Sequence, residues 1–305
     1  MNRRILYLAL ALLPAALGAQ TLRFGTTPAT VSGAYQLDSE VSLPQTLQIR
    51  ERGAATSYFV TFSAGSSGSF AARTAKSGVN VLQYQIYDNI TNRNVLKDLT
   101  ANPALTEVIT GSFPASAAWQ TQTKNFTVYL LPGQLPPAGT YTDTITMQLY
   151  AGTPASHGAV QATKTFGVSI TMSAALDIAL VATGSPFSVT GTALPLNLGV
   201  LAAGGFSSAD LVIRANSLNS VTVSSQAGGI LKNTDPLDTS TVPYAFAVNG
   251  TPVALPAGTP RPIVTSAAAT TFAGRRYALS VTVGTAVWPT EGSYSDVLTF
   301  QATAN

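Results

Sequence analysis

The segment Gly139-Thr-Tyr141-Thr-Asp143-Thr-Ile145-Thr-Met147-Gln148 occurs again 153 residues later as Gly292-Ser-Tyr294-Ser-Asp296-Val-Leu298-Thr-Phe300-Gln301. In both copies apolar side chains recur at every second position, which puts them on one face of a β-strand. Two further pairs match in the same order: Leu22-Arg-Phe24-Gly25 with Leu196-Asn-Leu198-Gly199, and Leu47-Gln-Ile49-Arg50 with Leu211-Val-Ile213-Arg214. Their spacing drifts, as loop insertions make it drift. Two copies are too few for a solenoid. The chain therefore reads as two tandem domains of one fold, joined between residues 172 and 183.

Alternation of period two runs through the rest of the chain, in Phe126–Leu130, Thr144–Leu149 and Tyr277–Val283. Turn formers separate the runs: Ser66-Ser67-Gly68, Pro136-Pro137-Ala138-Gly139 and Asn249-Gly250. No long stretch carries a helical stripe. The fold class expected is all-β, two immunoglobulin-like sandwiches in tandem. The Gly-x-Tyr start of the repeated strand predicts a tyrosine corner, with the hydroxyl bonded to nearby backbone. Tyr141 and Asp143, like Tyr294 and Asp296, are then structural rather than catalytic.

Composition removes most catalytic classes. Only 10% of the residues are charged, there is no cysteine, and His157 is the single histidine. Thiolate chemistry, disulfides and His-pair metal sites are thereby excluded. His157 lies in a Gly/Pro/Ser turn, and Asp235 and Asp238 occupy a loop without EF-hand spacing. Neither pattern points to a catalytic, cofactor or metal site.

Arg3 and Arg4 precede an apolar run from Ile5 to Leu17 that ends in Gly18 and Ala19, the pattern of a secretory leader over residues 1–19. Without Arg3 and Arg4, 14 of the 16 basic residues remain against 13 acidic ones, a net charge of +1. That balance argues against nucleic acid as a partner. The remaining expected units are 20–175, a first sandwich, and 176–305, a second.

The copies differ after the shared strand. The first continues into Gln161-Ala-Thr-Lys-Thr165-Phe-Gly-Val168-Ser-Ile170-Thr-Met172, one more alternating strand, whereas the second reaches Asn305. If the folds are equivalent, the second sandwich lacks its last strand and exposes apolar core beside unpaired backbone. Another chain would then supply the strand. The alternative is that the first domain carries an extra linker strand.

Residues 184–305 resemble the spore coat protein U-like domains of archaic (Csu-type) chaperone–usher pilus subunits. The resemblance rests on Leu196–Gly199, Val212-Ile-Arg214-Ala-Asn216, Val223–Gly229, Val242-Pro-Tyr244-Ala-Phe246 with Asn249-Gly250, and Gly292–Phe300. The first domain matches at Leu22–Gly25 and Gly139–Leu149. The resemblance implies an incomplete sandwich, held by a periplasmic chaperone, assembled at an outer-membrane usher and completed by an adjacent pilin. It also implies export through the periplasm to a fimbrium on the cell surface.

The groove for the incoming strand is expected at Leu196, Leu198, Leu298, Phe300 and Ala302. Because Leu22 follows the leader by only a few residues, no arm remains to donate, and a tip adhesin is the expected role. Contact loops are then sought around Phe113 and Trp119, and around Leu131 and Leu135; the competing expectation is that Phe113 and Trp119 fill their own core. No cofactor is implied, and the receptor is not encoded in any motif. A non-polymerising surface protein stands as the rival reading, and a secreted hydrolase as a more distant one.

Overall fold

The computed structural model describes residues 21–285 and 290–305; the expected leader lies outside them. Strands dominate, and the helical elements among the described residues are three short 3-10 turns. None of the described helices is long and apolar enough to cross a membrane.

Residues 21–172 form one continuously hydrogen-bonded sheet of ten strands. Its path runs Thr21–Phe24, Val41–Gly53, Ser116–Leu130, Asn80–Tyr87, Arg73–Ser77, Gly139–Thr153, Ser156–Met172 and Thr30–Ala34, with Thr56–Phe62 bonded to Gly139–Thr153 and Ile109–Phe113 beyond it. The path folds over itself, because Leu47, Ile49, Phe126 and Val128 from its first half share one core with Ile145, Met147, Phe166 and Val168 from its second. Alternation decides which side chains enter: Phe166, Val168, Ile170 and Met172 are buried, while the residues between them are more accessible.

Residues 176–304 repeat this plan. Leu176–Val181 pairs with Phe206–Ala215, which pairs with Arg275–Val283, then Thr241–Val248, Ile230–Asn233 and Tyr294–Ser295. A separate three-stranded sheet holds Arg261–Ala267, Asn219–Ser225 and Leu298–Ala304. The pairing of Phe24 with Ile49 is reproduced by Ile178 with Ile213. This corrects one correspondence. The counterpart of Leu22–Gly25 is Leu176–Ala179, and Leu196–Gly199 is not in a strand. Two apolar residues spaced by one are too short a pattern to tell these segments apart; the hydrogen-bond partner tells them apart.

The two sandwiches meet through Arg214, whose guanidinium is buried and bonds both carboxylate oxygens of Asp38, at 2.8 and 2.7 Å. Asp177 adds a contact at 3.1 Å, and the rings of Phe187 and Phe272 flank the guanidinium. Asn216 donates to the Pro136 carbonyl across the same junction.

Glu51 is an exception to the pattern. It follows Leu47 and Ile49 on the core side of Val41–Gly53, is fully buried, and neither carboxylate oxygen has a hydrogen-bond partner. Burial pushes its carboxyl pKa above the ordinary value. A folded pKa above the unfolded one means that the native state holds the proton more tightly, so this residue costs stability as pH rises through that window. Glu51→Met is expected to raise stability at pH 7 by about 1 kcal/mol, since it removes an unpaired buried polar group. Urea titrations should show the gain shrinking once pH falls below the carboxylate range.

Candidate strand-accepting groove

The strand Gly139–Thr153 has both edges filled. One edge pairs with Thr56–Phe62, and the other with Ser156–Met172 in antiparallel register, Phe166 opposite Ile145, Val168 opposite Asp143 and Ile170 opposite Tyr141. Thr30–Ala34 then lies parallel to Gly167–Thr171 and closes that side of the sandwich.

The counterpart strand Leu298–Ala304 pairs with Asn219–Ser225 on one edge, and among the described residues no strand pairs with the other. Side-chain exposure follows. Ile145, Met147 and Leu149 are all at 0%, whereas Leu298, Phe300 and Ala302 are only half-buried.

A cavity of about 790 Å³ lies along the open edge. Leu298 and Phe300 form one wall, Leu194, Leu196 and Leu198 the other, and Phe246, Leu279 and Val281 the floor. The Leu194–Leu198 wall lies between the first two strands of its sandwich, the place that Thr30–Ala34 takes in the other copy. Four of the five expected groove residues thus face one cavity. Ala302 packs on the same core without lining it. Leu279 and Val281 of the floor were legible in the alternation of Tyr277–Val283, but no pairwise pattern in the sequence joins them to Leu196.

Each copy of the repeat anchors the strand beside this edge in the same way. Tyr141 donates its hydroxyl to the Pro137 carbonyl at 2.7 Å, and Tyr294 to Thr290 at 3.0 Å, both four residues back. The glycines that precede them, Gly139 and Gly292, hold φ of +155° and +156°, which L side chains rarely adopt. Asp143 accepts from Tyr84 Oη at 2.6 Å and from the Ser66 and Thr144 amides at 2.9 and 2.8 Å. Asp296 accepts from Tyr244 Oη at 2.6 Å and from the Ala227 and Val297 amides at 2.9 and 2.7 Å. Burial, reinforced by the bonded carboxylate, raises the pKa of both Tyr84 and Tyr244, so both phenols stay protonated donors. Each carboxylate is thus committed to hydrogen bonds that hold its own strand, and nothing in the sequence had paired Asp143 with Tyr84 or Asp296 with Tyr244.

The expected contact loops fare differently. Phe113 is buried and stacks on Tyr58 with centroids 5.4 Å apart, which removes it from any exposed loop. Trp119 belongs to the strand Ser116–Leu130 and is half-buried beneath arginines. Leu135 packs against the core, and Leu131 alone of the four is exposed, at 49%. Aromatic and branched side chains in a chain with only 10% charged residues are drawn into the nearest core, so residue type alone could not mark an adhesive loop. The loop of Asp235 and Asp238 is closed by its own hydrogen bonds, with Asp238 accepting from Asn233 and Ser240. His157 is exposed and sets its ring edge against Phe59 and Tyr150. Among the described residues no three His, Cys, Asp or Glu side chains gather as a metal site.

No curated protein matches the chain. Among solved structures, the CsuC–CsuE chaperone–tip adhesion subunit complex of Acinetobacter baumannii is similar over 93% of this chain and 99% of that one, at 12% identity and a TM-score of 0.43. The CfaE adhesive subunit of CFA/I fimbria from enterotoxigenic Escherichia coli is similar over 92% and 93%, at 12% identity and a TM-score of 0.32. The CssB subunit complemented with a donor strand from CssA, also from enterotoxigenic E. coli, is similar over 50% and 97%, at 18% identity and a TM-score of 0.28. The family-model match falls on the first sandwich, whereas the resemblance in the sequence was read chiefly from residues 184–305. Over residues 15–148 the chain matches the Spore Coat Protein U domain, a stretch that stops within Gly139–Thr153, before the closing strand Ser156–Met172.

Proposed function

We propose that the protein is a non-enzymatic pilus subunit whose second sandwich is completed by a β-strand from another chain. The observation that carries this reading is the contrast between two copies of one strand: Ile145, Met147 and Leu149 fully buried under their own closing strand, and Leu298, Phe300 and Ala302 half-buried beside an open edge. An unpaired edge above an apolar groove is a template for strand addition. The family match agrees, since it covers a sandwich only as far as the strand before the closing one.

The internal copy also supplies the register. Offset by 153 residues, Ile145, Asp143 and Tyr141 become Leu298, Asp296 and Tyr294. The incoming strand runs antiparallel to Leu298–Ala304 and sets apolar residues opposite Leu298, Asp296 and Tyr294, as Phe166, Val168 and Ile170 do in the first sandwich. The partners follow from this chemistry: a periplasmic chaperone that covers the groove before assembly, an outer-membrane usher, and the adjacent pilin. The first sandwich, closed by its own strand Ser156–Met172, takes the outer position of a tip adhesin. The protein is then exported and ends on the fimbrium.

A synthetic peptide of sequence Gln161–Met172 is the probe. It is expected to bind the full chain saturably, to lose binding when its Val168 and Ile170 positions carry Asp, and to fail against a Leu298→Asp chain. Equal binding of the Asp-bearing peptide, or undiminished binding to the Leu298→Asp chain, would overturn the reading.

A further inference from the structure

Three arginines converge on one indole in the first sandwich. The guanidinium carbons of Arg23, Arg52 and Arg50 lie 4.0, 4.9 and 5.2 Å from the centre of the Trp119 ring. Strand pairing brings them there. Arg23 is the cross-strand partner of Arg50, and Arg50 of Thr121, two residues beyond Trp119. Alternation puts Arg50 and Arg52 on the outer face, opposite Leu47, Ile49 and Glu51.

Among the described residues none of the three arginines lies within ion-pair distance of a carboxylate, and Arg50 Nε is buried without a hydrogen-bond partner. The nearest acid in sequence, Glu51, is turned into the core. The indole lies within cation–π distance of all three guanidinium groups, and among the described residues none of their N–H groups makes a hydrogen bond, which leaves them to donate to a ligand. Like charges held this close repel one another, and a bound oxyanion relieves that repulsion.

We propose that the face formed by Arg23, Arg50, Arg52 and Trp119 binds an acidic polysaccharide through its carboxylate or sulfate groups. Charge complementarity requires an anionic partner, and the flanking Gln48, Thr121 and Thr123 share the outer face and suit sugar hydroxyls. Single-stranded nucleic acid is disfavoured, because base stacking needs a free aromatic face and the Trp119 ring is capped by Arg23.

The test uses the full chain, a heparin oligosaccharide and polygalacturonate as probes, and neutral dextran and single-stranded DNA as comparators. The double variant Arg23→Gln, Arg52→Gln, both at exposed positions, is expected to weaken binding of the acidic sugars by about tenfold. The double variant Arg261→Gln, Arg275→Gln removes the same charge from exposed positions of the second sandwich and is expected to change affinity less than about twofold. Trp119→Leu keeps all three charges but loses the stack, and is expected to weaken binding by about fivefold. Equal losses in the two arginine doubles, unchanged affinity in Trp119→Leu, tighter binding of DNA than of either acidic sugar, or no binding of the acidic sugars at all would each overturn the proposal.

Discussion

A second copy of Gln161–Met172, joined beyond Asn305 through a flexible linker, is expected to raise the unfolding midpoint of the second sandwich by about 10 °C. The added strand would bring the equivalents of Phe166, Val168, Ile170 and Met172 to the groove of Leu196, Leu198, Leu298 and Phe300. Each such side chain gains about 1.5–3 kcal/mol when taken out of water. Ordering the strand offsets much of that gain, at about 1.5 kcal/mol per residue for backbone and side chain together. What tips the balance is the backbone ladder. The open edge of Leu298–Ala304 gains antiparallel hydrogen bonds and Leu194–Leu198 a parallel neighbour, as Thr30–Ala34 has in the first copy. Attachment in cis also keeps the strand at high effective concentration. Differential scanning calorimetry should show the second transition moving up while the first stays in place. An unmoved second transition, with the appended strand still sensitive to protease, would mean that the groove does not take this strand.

Asp143→Ala is expected to destabilise the first sandwich by about 3 kcal/mol, because it strands several donors in the interior. Tyr84 Oη and the amides of Ser66 and Thr144 all point at this carboxylate, and the residue is only 8% exposed. The surrounding chain is shaped to it. Gly65 sits at φ +66°, and a Cβ there would come 2.1 Å from the Asp143 carboxylate. Asp296→Ala removes the matching bonds in the second sandwich and one more from Ser225 Oγ, yet its effect should be nearer 1 kcal/mol, since Asp296 is itself only half-buried and water can enter the space its carboxylate leaves. Filling the groove with the appended strand should bring the Asp296→Ala cost up toward that of Asp143→Ala. Chemical denaturation of the four chains measures this coupling directly.

Much of the fold was legible because strands alternate. In Gly139–Leu149 and Tyr277–Val283 every apolar residue that the period placed inward is buried or half-buried. The tyrosine corners were legible for the same local reason: a glycine, a tyrosine and a carbonyl four residues back lie within one turn of chain. Signals between distant segments failed. Leu196–Gly199 imitated the first strand because its two leucines have the right spacing, and only the pairing of Leu176–Val181 with Phe206–Ala215 identified the true counterpart. Phe113 stood between two expectations, a contact loop and its own core, and the tertiary fold decided for the core by burying it against Tyr58. The convergence of Arg23, Arg50 and Arg52 on Trp119 had no sequence signature, since three strands supply it.

The groove divides along the same line. Its apolar side chains, its strand on one wall and the duplicated Gly-x-Tyr-x-Asp anchor were determined by the amino-acid sequence, because a period of two assigns each residue to a face whatever lies beside it. The additional strand Gln161–Met172 of the first copy was legible as well, but whether it pairs with Gly139–Thr153 or serves as a linker depends on hydrogen bonds between segments, and no local pattern records them. Only the tertiary structure decided that Ser156–Met172 covers Ile145 and Met147 while Leu298 and Phe300 face an open groove.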